Sequence, residues 1–286
     1  MTRIDGLLRA GRTFSFEFFP PRTDEERLVL VRSLRELEAL EPSFVSITYR
    51  GGRSSRQLTT DLVAGLRQTT SLTPMAHLIC TGHSRLELAD ILVDLRKAGV
   101  ENLMALGGDP PTDPDAVPGE LEHAAELVEL ARAIGGFSIG VAAHPIGHPR
   151  SPDRASDRRF LAEKLERADF AVTQFFYSVD EYVGLVEDLA RLGMDKPVIP
   201  GIMPVTNLRS VPAMAAMGAP VPDALAARLE RAGPDREAVR REGVTIFTEL
   251  CEALLEAGAP GLHFYTLNRS TATREIYAGL GLGAHD

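Results

Sequence analysis

The sequence predicts an α/β protein of the (β/α)8 TIM-barrel class, a single domain over residues 1–286 with a helical insertion between strands 7 and 8. Eight short apolar runs alternate with longer amphipathic segments, and each pair occupies roughly 36 residues, as expected of a β/α unit. A doubly wound sheet is the main alternative. It usually carries a glycine-rich fingerprint after its first strand, whereas the first run here ends at Pro20 and Pro21.

The eight apolar runs predict the strands of the barrel. They are rich in Phe, Val and Ile, and most are apolar throughout, which is typical of parallel strands covered on both faces. The predicted strands occupy residues 14–19, 44–48, 75–79, 102–106, 138–143, 170–175, 198–203 and 262–265.

The amphipathic segments between these runs predict helices. They occupy residues 24–40, 57–68, 85–98, 120–134, 158–167 and 180–192. Several end at a glycine that can close a helix in the left-handed conformation, as at Gly99, Gly193 and Gly258. The longest connection, residues 204–261, is divided by several prolines, so we expect it to form more than one helix.

The composition limits the classes of partner. Thirty-one Lys and Arg against forty Asp and Glu give a net charge of −9, which repels nucleic acids and anionic lipids. Cys80 and Cys251 are far apart in sequence and suit a reducing compartment. No apolar stretch approaches the roughly 18 residues of a membrane span, and no signal peptide is recognisable. We therefore expect a cytoplasmic protein with no nucleic-acid or membrane partner, and the oligomeric state stays open.

Polar residues at strand ends are the candidates for function, because TIM barrels place their sites at the C-terminal ends of the strands. The first strand ends in FSFEFFPPR, which surrounds Glu17 with aromatic residues and prolines. Desolvation among apolar side chains raises a carboxyl pKa, and a general acid needs a pKa near neutral pH. We therefore expect Glu17 to have a raised pKa and to act as a catalytic acid. A structural carboxylate paired with an arginine is the alternative.

Three other strand ends carry groups suited to a heterocyclic or anionic ligand. The fourth strand ends in ALGGDPP, where Gly108 lets a ligand approach the backbone and Asp109 offers a carboxylate to ring N–H donors. An ordinary Gly-Asp turn is the alternative. Gln174, after the sixth strand, can donate to and accept from a base-like ring. Arg269, after the eighth, is a local cation for a carboxylate or phosphate.

Histidines fall in or after two further strands. His77 lies in the third strand, where a satisfied core histidine is the alternative to a ligand. His144 and His148 follow the fifth strand at a spacing that binds metals on a helix. Pro145 and Pro149 prevent a regular helix there, so the sequence predicts no metal site.

Eight motifs in register along the chain carry a family resemblance. They are FSFEFFPPR, PSFVSITYRGG, MAHLIC, LMALGGDPP, VAAHPIGHP, VTQFFY, VIPGIMPVTN and GLHFYTLNRST. Each is weak alone, but together, from about Thr13 to Leu282, the chain resembles the bacterial type of methylenetetrahydrofolate reductase. The resemblance implies a (β/α)8 barrel that reduces 5,10-methylenetetrahydrofolate to 5-methyltetrahydrofolate with NAD(P)H and, usually, a bound FAD.

The resemblance also implies roles for individual residues. Glu17 matches the general acid that protonates the folate so that its five-membered ring opens to an iminium. Asp109 matches an aspartate near the pterin and the flavin, and Gln174 matches a pterin-binding glutamine. Arg269 matches an arginine near the folate, and Leu229 falls where the family has an apolar residue over the ligand. The implied cofactor-binding positions are Thr48, His77, Gly108, His144, His148 and Lys164.

The sequence departs from the family mainly around the flavin. Relatives usually have an arginine at the position of Gly107, and the lost charge-assisted hydrogen bond is worth about 1.5–3 kcal/mol. Arg50 and Arg53 are candidate replacements, and His144 stands where relatives have an aromatic residue. These departures favour direct hydride transfer from NAD(P)H, with NADH preferred, in a reductase that binds FAD weakly or not at all. Tightly bound FAD in a ping-pong mechanism is the first alternative.

Three other classes of function are alternatives to a reductase. A non-catalytic regulator that binds folate or flavin is the second alternative, because binding residues alone do not make an enzyme. A lysine Schiff-base aldolase needs a buried lysine at a strand end, whereas Lys97, Lys164 and Lys196 lie in or beside predicted helices. A metal-dependent hydrolase would lose activity with a chelator.

Overall fold

The computed structural model describes residues 2–48, 56–109 and 119–282. These residues form a nearly closed barrel of nine parallel strands, ordered β7-β6-β5-β4-β3-β2-β1-β9-β8. The strands are β1 (Thr13–Phe18), β2 (Phe44–Ile47), β3 (Pro74–Ile79), β4 (Asn102–Leu106), β5 (Ser138–Ala143), β6 (Phe170–Thr173), β7 (Val198–Ile199), β8 (Gly201–Ile202) and β9 (Gly261–Tyr265). The predicted (β/α)8 class is confirmed.

The ninth strand arises because one predicted strand, residues 198–203, is divided at Pro200. Proline has no backbone N–H to donate, so it interrupts the hydrogen-bond ladder. β7 pairs with β6, and β8 pairs with β9, so the two halves close the barrel through Pro200. The Pro200 carbonyl still accepts from His263 N at 3.0 Å, and Gly201 N donates to Thr173 Oγ1 at 2.9 Å.

Helices surround the barrel and follow the strands in alternation. They are α1 (Ile4–Ala10), α2 (Asp24–Glu38), α3 (Arg56–Thr69), α4 (Arg85–Lys97), α5 (Ala124–Ile134), α6 (Arg154–Arg167), α7 (Val179–Arg191), α8 (Val211–Ala216), α9 (Asp223–Arg231), α10 (Arg236–Glu256) and α11 (Thr271–Gly279). The six predicted helices are all present. α6 begins four residues earlier than predicted, because the Asp153 side chain caps it by accepting from Ser156 N at 2.7 Å.

The predicted insertion between the last two strand positions is also present. It contains the short helices α8 and α9, and it is followed by the long helix α10. Arg228 on α9 forms a bidentate ion pair with Glu249 on α10, with N···O distances of 2.6 and 3.1 Å. The insertion is therefore attached to the barrel through α10.

The strand side chains alternate between two layers. On β1, Phe16 and Phe18 face the helices, and the Phe16 ring lies 5.3 Å from the ring of Tyr277 on α11. The other face of the strands fills the barrel interior. The apolar interior cluster is Ile4, Phe44, Met75, Met104, Phe170, Val172 and Ile199.

Helix α1, which the sequence did not predict, covers the N-terminal end of the barrel. Its Ile4 side chain belongs to the interior cluster. Ile4 N donates to Asn102 Oδ1 at 2.9 Å, and Asp5 N donates to Ser138 Oγ at 2.9 Å. Asn102 and Ser138 begin β4 and β5, so this end of the barrel is closed and the C-terminal end is left for a site. Within the described ranges, no helix is long and apolar enough to cross a membrane.

Candidate functional site

The candidate site lies at the C-terminal ends of β1, β2, β3 and β9, where polar side chains face the barrel interior. Glu17 stands next to the last residue of β1 and is paired in register with Ser46 on β2 and with Tyr265 on β9. His77 on β3 and His263 on β9 complete the group. All except the half-buried Tyr265 are buried, so these polar groups depend on one another for hydrogen-bond and ion-pair partners.

Three side chains contact the Glu17 carboxylate at the same oxygen. Ser46 Oγ donates to Glu17 Oε2 at 3.4 Å. His77 Nε2 and His263 Nε2 lie 3.4 and 3.5 Å from the same Oε2 atom. The Thr266 hydroxyl donates to the Glu17 backbone carbonyl at 2.6 Å, which fixes the strand itself. Glu17 is therefore held rigidly at the centre of the site.

The pKa of Glu17 is shifted in the direction opposite to the one that the sequence predicts. Burial raises it, but His77, His263 and the Ser46 hydroxyl outweigh burial and hold the pKa below its ordinary value. The expected raised pKa was wrong because the barrel brings two histidines and a serine hydroxyl to the Glu17 carboxylate, while Phe16 and Phe18 face the helices. No arginine within the described ranges pairs with Glu17, so the alternative of an Arg-paired carboxylate finds no support.

His77 is placed beside Glu17 with unused hydrogen-bonding capacity. Neither of its ring nitrogens makes a hydrogen bond to the part of the chain that the structure describes. Burial lowers its pKa, although the Glu17 carboxylate opposes this effect. A ligand that enters the site can therefore supply hydrogen-bond partners to this imidazole.

The sequence analysis missed His263, Ser46 and Ser15, which form the polar surroundings of Glu17. Ser15 Oγ lies 2.7 Å from His263 Nδ1, and Ser46 Oγ lies 3.3 Å from His263 Nε2. Strand alternation was the signal that could have found them. Residues 15 and 17 of β1, and residues 263 and 265 of β9, are polar side chains two apart within otherwise apolar strands.

The loop after β9 carries Arg269 to the rim of the site. Asn268 is buried and connects this loop to the end of β1, because its Oδ1 accepts from Phe19 N at 2.8 Å and its Nδ2 donates to Phe19 O at 3.0 Å. Leu267 and Asn268 have φ of 51° and 58°, a left-handed backbone that is unusual outside glycine. Arg269 is exposed, as a residue that meets an incoming anion would be.

The two glycines that follow β4 have different surroundings. Gly108 has φ of +83°, and a Cβ there would lie 2.7 Å from Thr81 Oγ1, so only glycine fits. A Cβ on Gly107 would meet nothing closer than Arg150 Nη2, at 3.8 Å. Arg150 therefore brings a cation to the place where a side chain at position 107 would begin. Arg50 and Arg53, the predicted replacements, lie outside the described residues.

Helix α6 and the loop before it place further nitrogen atoms near this end of the barrel. The His144 and His148 rings are 4.5 Å apart in an edge-to-face arrangement. Lys164 Nζ donates to the Ala142 carbonyl at 3.1 Å. Burial lowers the pKa of Lys164, and the Asp157 carboxylate opposes this effect. Arg150 N donates to His148 Nδ1 at 3.0 Å, which fixes the orientation of that ring.

A buried ion pair supports the loop that carries His144. Arg158 Nη1 lies 2.6 Å from Asp157 Oδ2, and both side chains are nearly inaccessible. The same guanidinium donates to the His144 carbonyl at 2.9 Å and to the Pro145 carbonyl at 2.5 Å. His148 N donates to Asp157 Oδ1 at 3.0 Å. The two histidines are thus attached to one rigid base.

The remaining predicted residues fall at different depths. Thr48 directly follows β2 and is half-buried. Gln174 follows β6, its Oε1 accepts from Phe175 N at 3.0 Å, and its amide nitrogen makes no hydrogen bond to the residues that the structure describes. Asp109 is exposed after β4, and its charge acts to raise the pKa of His148. Leu229 is fully buried in the main core, so its predicted contact with a ligand finds no support in this geometry.

Metal sites and cavities elsewhere in the described residues do not compete with the site around Glu17. No group of three or more His, Cys, Asp and Glu side chains there is arranged to hold a metal ion. A groove of about 770 Å³ lies between α2 and α3 on the outside of the barrel. It is lined largely by aliphatic side chains and contains none of the polar residues around Glu17, so it is not the candidate site.

Stability below neutral pH tests the environment of His144. Burial, His148 and Lys164 lower the pKa of His144 to about 4, below its value in the unfolded chain. The uncharged form therefore favours the folded state, and this contribution is lost as the pH falls from about 6.5 towards 4. Lowering the pH from 7 to 5 should reduce the unfolding free energy of both proteins, measured by urea titration. The reduction should be about 2 kcal/mol smaller for His144→Phe than for the parent.

The matched control for that measurement is Ile146→Phe, which changes an exposed side chain in the same loop and removes no titratable group. Its stability should depend on pH as that of the parent does. If His144→Phe also keeps the parental pH dependence, His144 is not held in its neutral form by burial.

Comparisons with known proteins identify the family that the chain resembles. The family model described as methylenetetrahydrofolate reductase matches residues 3–281. A 5,10-methylenetetrahydrofolate reductase from Pectobacterium carotovorum is 34% identical over 273 residues, which cover 94% of this chain and 90% of that protein. The protein of the same name from Escherichia coli K12 is 34% identical over 270 residues, with the same coverage of 94% and 90%.

Two further matches extend the comparison. A probable methylenetetrahydrofolate reductase (NADH) from rice is 34% identical over 297 residues, and this chain spans 50% of its length. A solved structure of an uncharacterized protein from Clostridium thermocellum, which binds two copies of 5-methyl-5,6,7,8-tetrahydrofolic acid, superimposes with a TM-score of 0.63 over 99% of this chain and 98% of that one. At 14% sequence identity this structure supports the fold alone.

Proposed function

Because the chain belongs to the methylenetetrahydrofolate reductase family, we propose that the site around Glu17 reduces 5,10-methylenetetrahydrofolate to 5-methyltetrahydrofolate with a hydride from NADH. The observation that carries the proposal is a buried carboxylate at the C-terminal end of the barrel, held by Ser46, His77 and His263. A carboxyl group in this position can transfer a proton within a site that excludes water.

Glu17 supplies the proton that opens the folate ring. Its O–H bond breaks and an N–H bond forms on the leaving nitrogen of the five-membered ring. The C–N bond of the ring then breaks, and its electron pair goes to that nitrogen, which leaves an iminium carbon on the other nitrogen. Binding of the pterin displaces water and adds to the desolvation of Glu17, the contribution that raises its pKa towards that of a general acid.

Folate is held by polar groups around the rim. The free amide nitrogen of Gln174 and the Asp109 carboxylate offer a donor and an acceptor to the pterin edge. Arg269 is exposed at the same end of the barrel and complements the anionic glutamate tail of a folate. The fold neighbour from Clostridium thermocellum, which binds two copies of 5-methyl-5,6,7,8-tetrahydrofolic acid, is compatible with this substrate class.

The residues after β4 and β5 fit the phosphates of a dinucleotide. The backbone at Gly107 has room for a ligand, and Arg150 and Lys164 supply cations for the phosphate oxygens. NADH supplies the hydride that reduces the iminium carbon, and relatives in plants carry NADH in their names. FAD at the same place is the alternative, favoured by the cluster of His144, His148 and Lys164.

Removal of the Glu17 acid should separate catalysis from binding. Glu17→Gln keeps the size of the side chain and removes the transferable proton, so kcat should fall about 10²–10⁴-fold. The affinity for 5-methyltetrahydrofolate, measured by calorimetry, should change less than about threefold. Glu25→Gln, at an exposed position on α2, should behave as the parent.

Unimpaired turnover in Glu17→Gln would refute the acid role. If the parent protein binds folate but shows no turnover with either nicotinamide cofactor, the chain is a binding regulator instead.

The route of the hydride is tested with NADH deuterated at the transferred position. Direct transfer places the deuterium in the methyl group of the product. Label lost to water indicates the FAD route, because hydrogen on a flavin nitrogen exchanges with solvent. We expect full retention of label, and no stoichiometric flavin absorbance in protein purified without added flavin. A yellow protein that loses the label contradicts direct transfer.

Arg150 should strengthen dinucleotide binding. Arg150→Ala should weaken NADH binding about tenfold, measured by NADH fluorescence without folate, because a charge-assisted hydrogen bond is lost. The double variant Gly107→Arg with Arg150→Ala should recover most of the affinity, since nothing obstructs a side chain at position 107. Arg159→Ala, an exposed arginine on α6, is the matched control. Equal affinities for Arg150→Ala and this control would exclude the role.

A further inference from the structure

The contacts of the Glu17 carboxylate are confined to one of its two oxygens. Ser46 Oγ, His77 Nε2 and His263 Nε2 all lie within 3.5 Å of Oε2. No hydrogen bond or ion pair joins Oε1 to any residue in the described ranges. The two oxygens are therefore chemically different before any ligand arrives.

His263 is the most firmly fixed of the three neighbours. Its ring stacks on Phe44 with centroids 5.9 Å apart and planes 15° apart, and it meets Tyr265 edge-on at 5.3 Å. Its Nδ1 lies 2.7 Å from Ser15 Oγ. The side chain is fully buried, so neither ring nitrogen depends on bulk water for a partner.

The partners of His263 determine which ring nitrogen carries hydrogen. Nε2 faces two acceptors, Glu17 Oε2 and the Ser46 oxygen, whose own hydrogen points to Oε2. Nε2 therefore bears a hydrogen, and Nδ1 accepts from the Ser15 hydroxyl, whose other acceptor in reach, the Leu262 carbonyl, is more distant, at 3.4 Å against 2.7 Å. Ser15 thus selects the tautomer that donates towards Glu17.

We propose that His263, with its tautomer set by Ser15, is a positioning residue that holds Glu17 through Oε2, so that Oε1 carries the proton to the folate. The proposal rests on the function proposed above. A carboxyl group whose Oε2 already accepts hydrogen bonds binds its own proton at Oε1. When that O–H bond breaks and the folate N–H bond forms, the negative charge that remains is stabilised by the donors at Oε2.

Two substitutions of His263 distinguish positioning from packing. His263→Gln places an amide nitrogen near the position of Nε2, whereas His263→Asn reaches only the position of Nδ1. His263→Asn should lower kcat about 10- to 100-fold with little change in the KM for folate. It should also raise the Glu17 pKa, which is read from the pH profile of kcat, because a donor to the carboxylate is lost. His263→Gln should recover most of the rate and the parental profile.

Unfolding midpoints and circular dichroism of both variants establish that they are folded. Equal loss of rate in the two variants, with the pH profile unchanged, would overturn the proposal and leave His263 a packing residue. Parental kinetics in His263→Asn would also overturn the positioning role of His263. If Glu17→Gln is inactive in the same experiments, the proposed function is unaffected by that result. An unimpaired Glu17→Gln would instead overturn the proposed function itself.

A measurement on the unsubstituted protein keeps the proposal testable if His263→Asn does not fold. Nitrogen-15 NMR of the labelled parent should show His263 protonated at Nε2 and bare at Nδ1. Ser15→Ala should allow the other tautomer and lower kcat in the same direction as His263→Asn. Protonation at Nδ1 in the parent would refute the arrangement.

Discussion

Burial of a carboxylate inside a barrel costs several kcal/mol unless its charged form finds partners. Glu17 finds them on three neighbouring strands, and the surrounding structure can be understood as the means of supplying them. Ser46 lies beside Glu17 because the two residues are paired in register on β2 and β1. His77 faces the barrel interior from β3, and His263 on β9 contacts Ser15. The closed N-terminal end below them makes the C-terminal mouth the route of entry for substrate.

Because Glu17 needs partners from several strands, hydrogen bonds between backbone and side chains hold those strands together at the C-terminal end of the barrel. Asn268 joins the loop after β9 to Phe19, and Thr266 donates to the Glu17 carbonyl, so the two strands that flank the acid cannot separate easily. On the far side, the Asp157 and Arg158 pair holds the loop that carries the histidines. Catalytic geometry in a barrel depends on such supports, because a displacement of about 1 Å can cost a hundredfold in rate.

Much of this fold could be predicted from the sequence, because buried parallel strands have a strong apolar signature. The predicted strands and helices are present, and Glu17 lies inside the barrel near the end of β1. The division at Pro200 was visible as a proline within an apolar run, but its effect depends on which neighbour each half pairs with. Burial does raise the pKa of Glu17, but the predicted direction was wrong because His77, His263 and Ser46, which together lower it more, come from other strands.

His263 and Arg150 show what sequence reasoning alone misses. His263 is distant from Glu17 in the chain and meets it only when the barrel closes. Arg150 reaches Gly107 from the following loop, so the missing cation at one strand end is supplied from another. Both contacts are long-range, and a single sequence records neither of them directly.

The central claim is that Glu17 is the proton donor to folate at the mouth of the barrel. A crystal structure of the protein with 5-methyltetrahydrofolate bound tests it most directly. The account predicts the pterin at the C-terminal end of β1, with the Glu17 carboxyl within about 3 Å of the nitrogen released by ring opening. Folate bound elsewhere on the barrel, or with that nitrogen out of reach of Glu17, would contradict it.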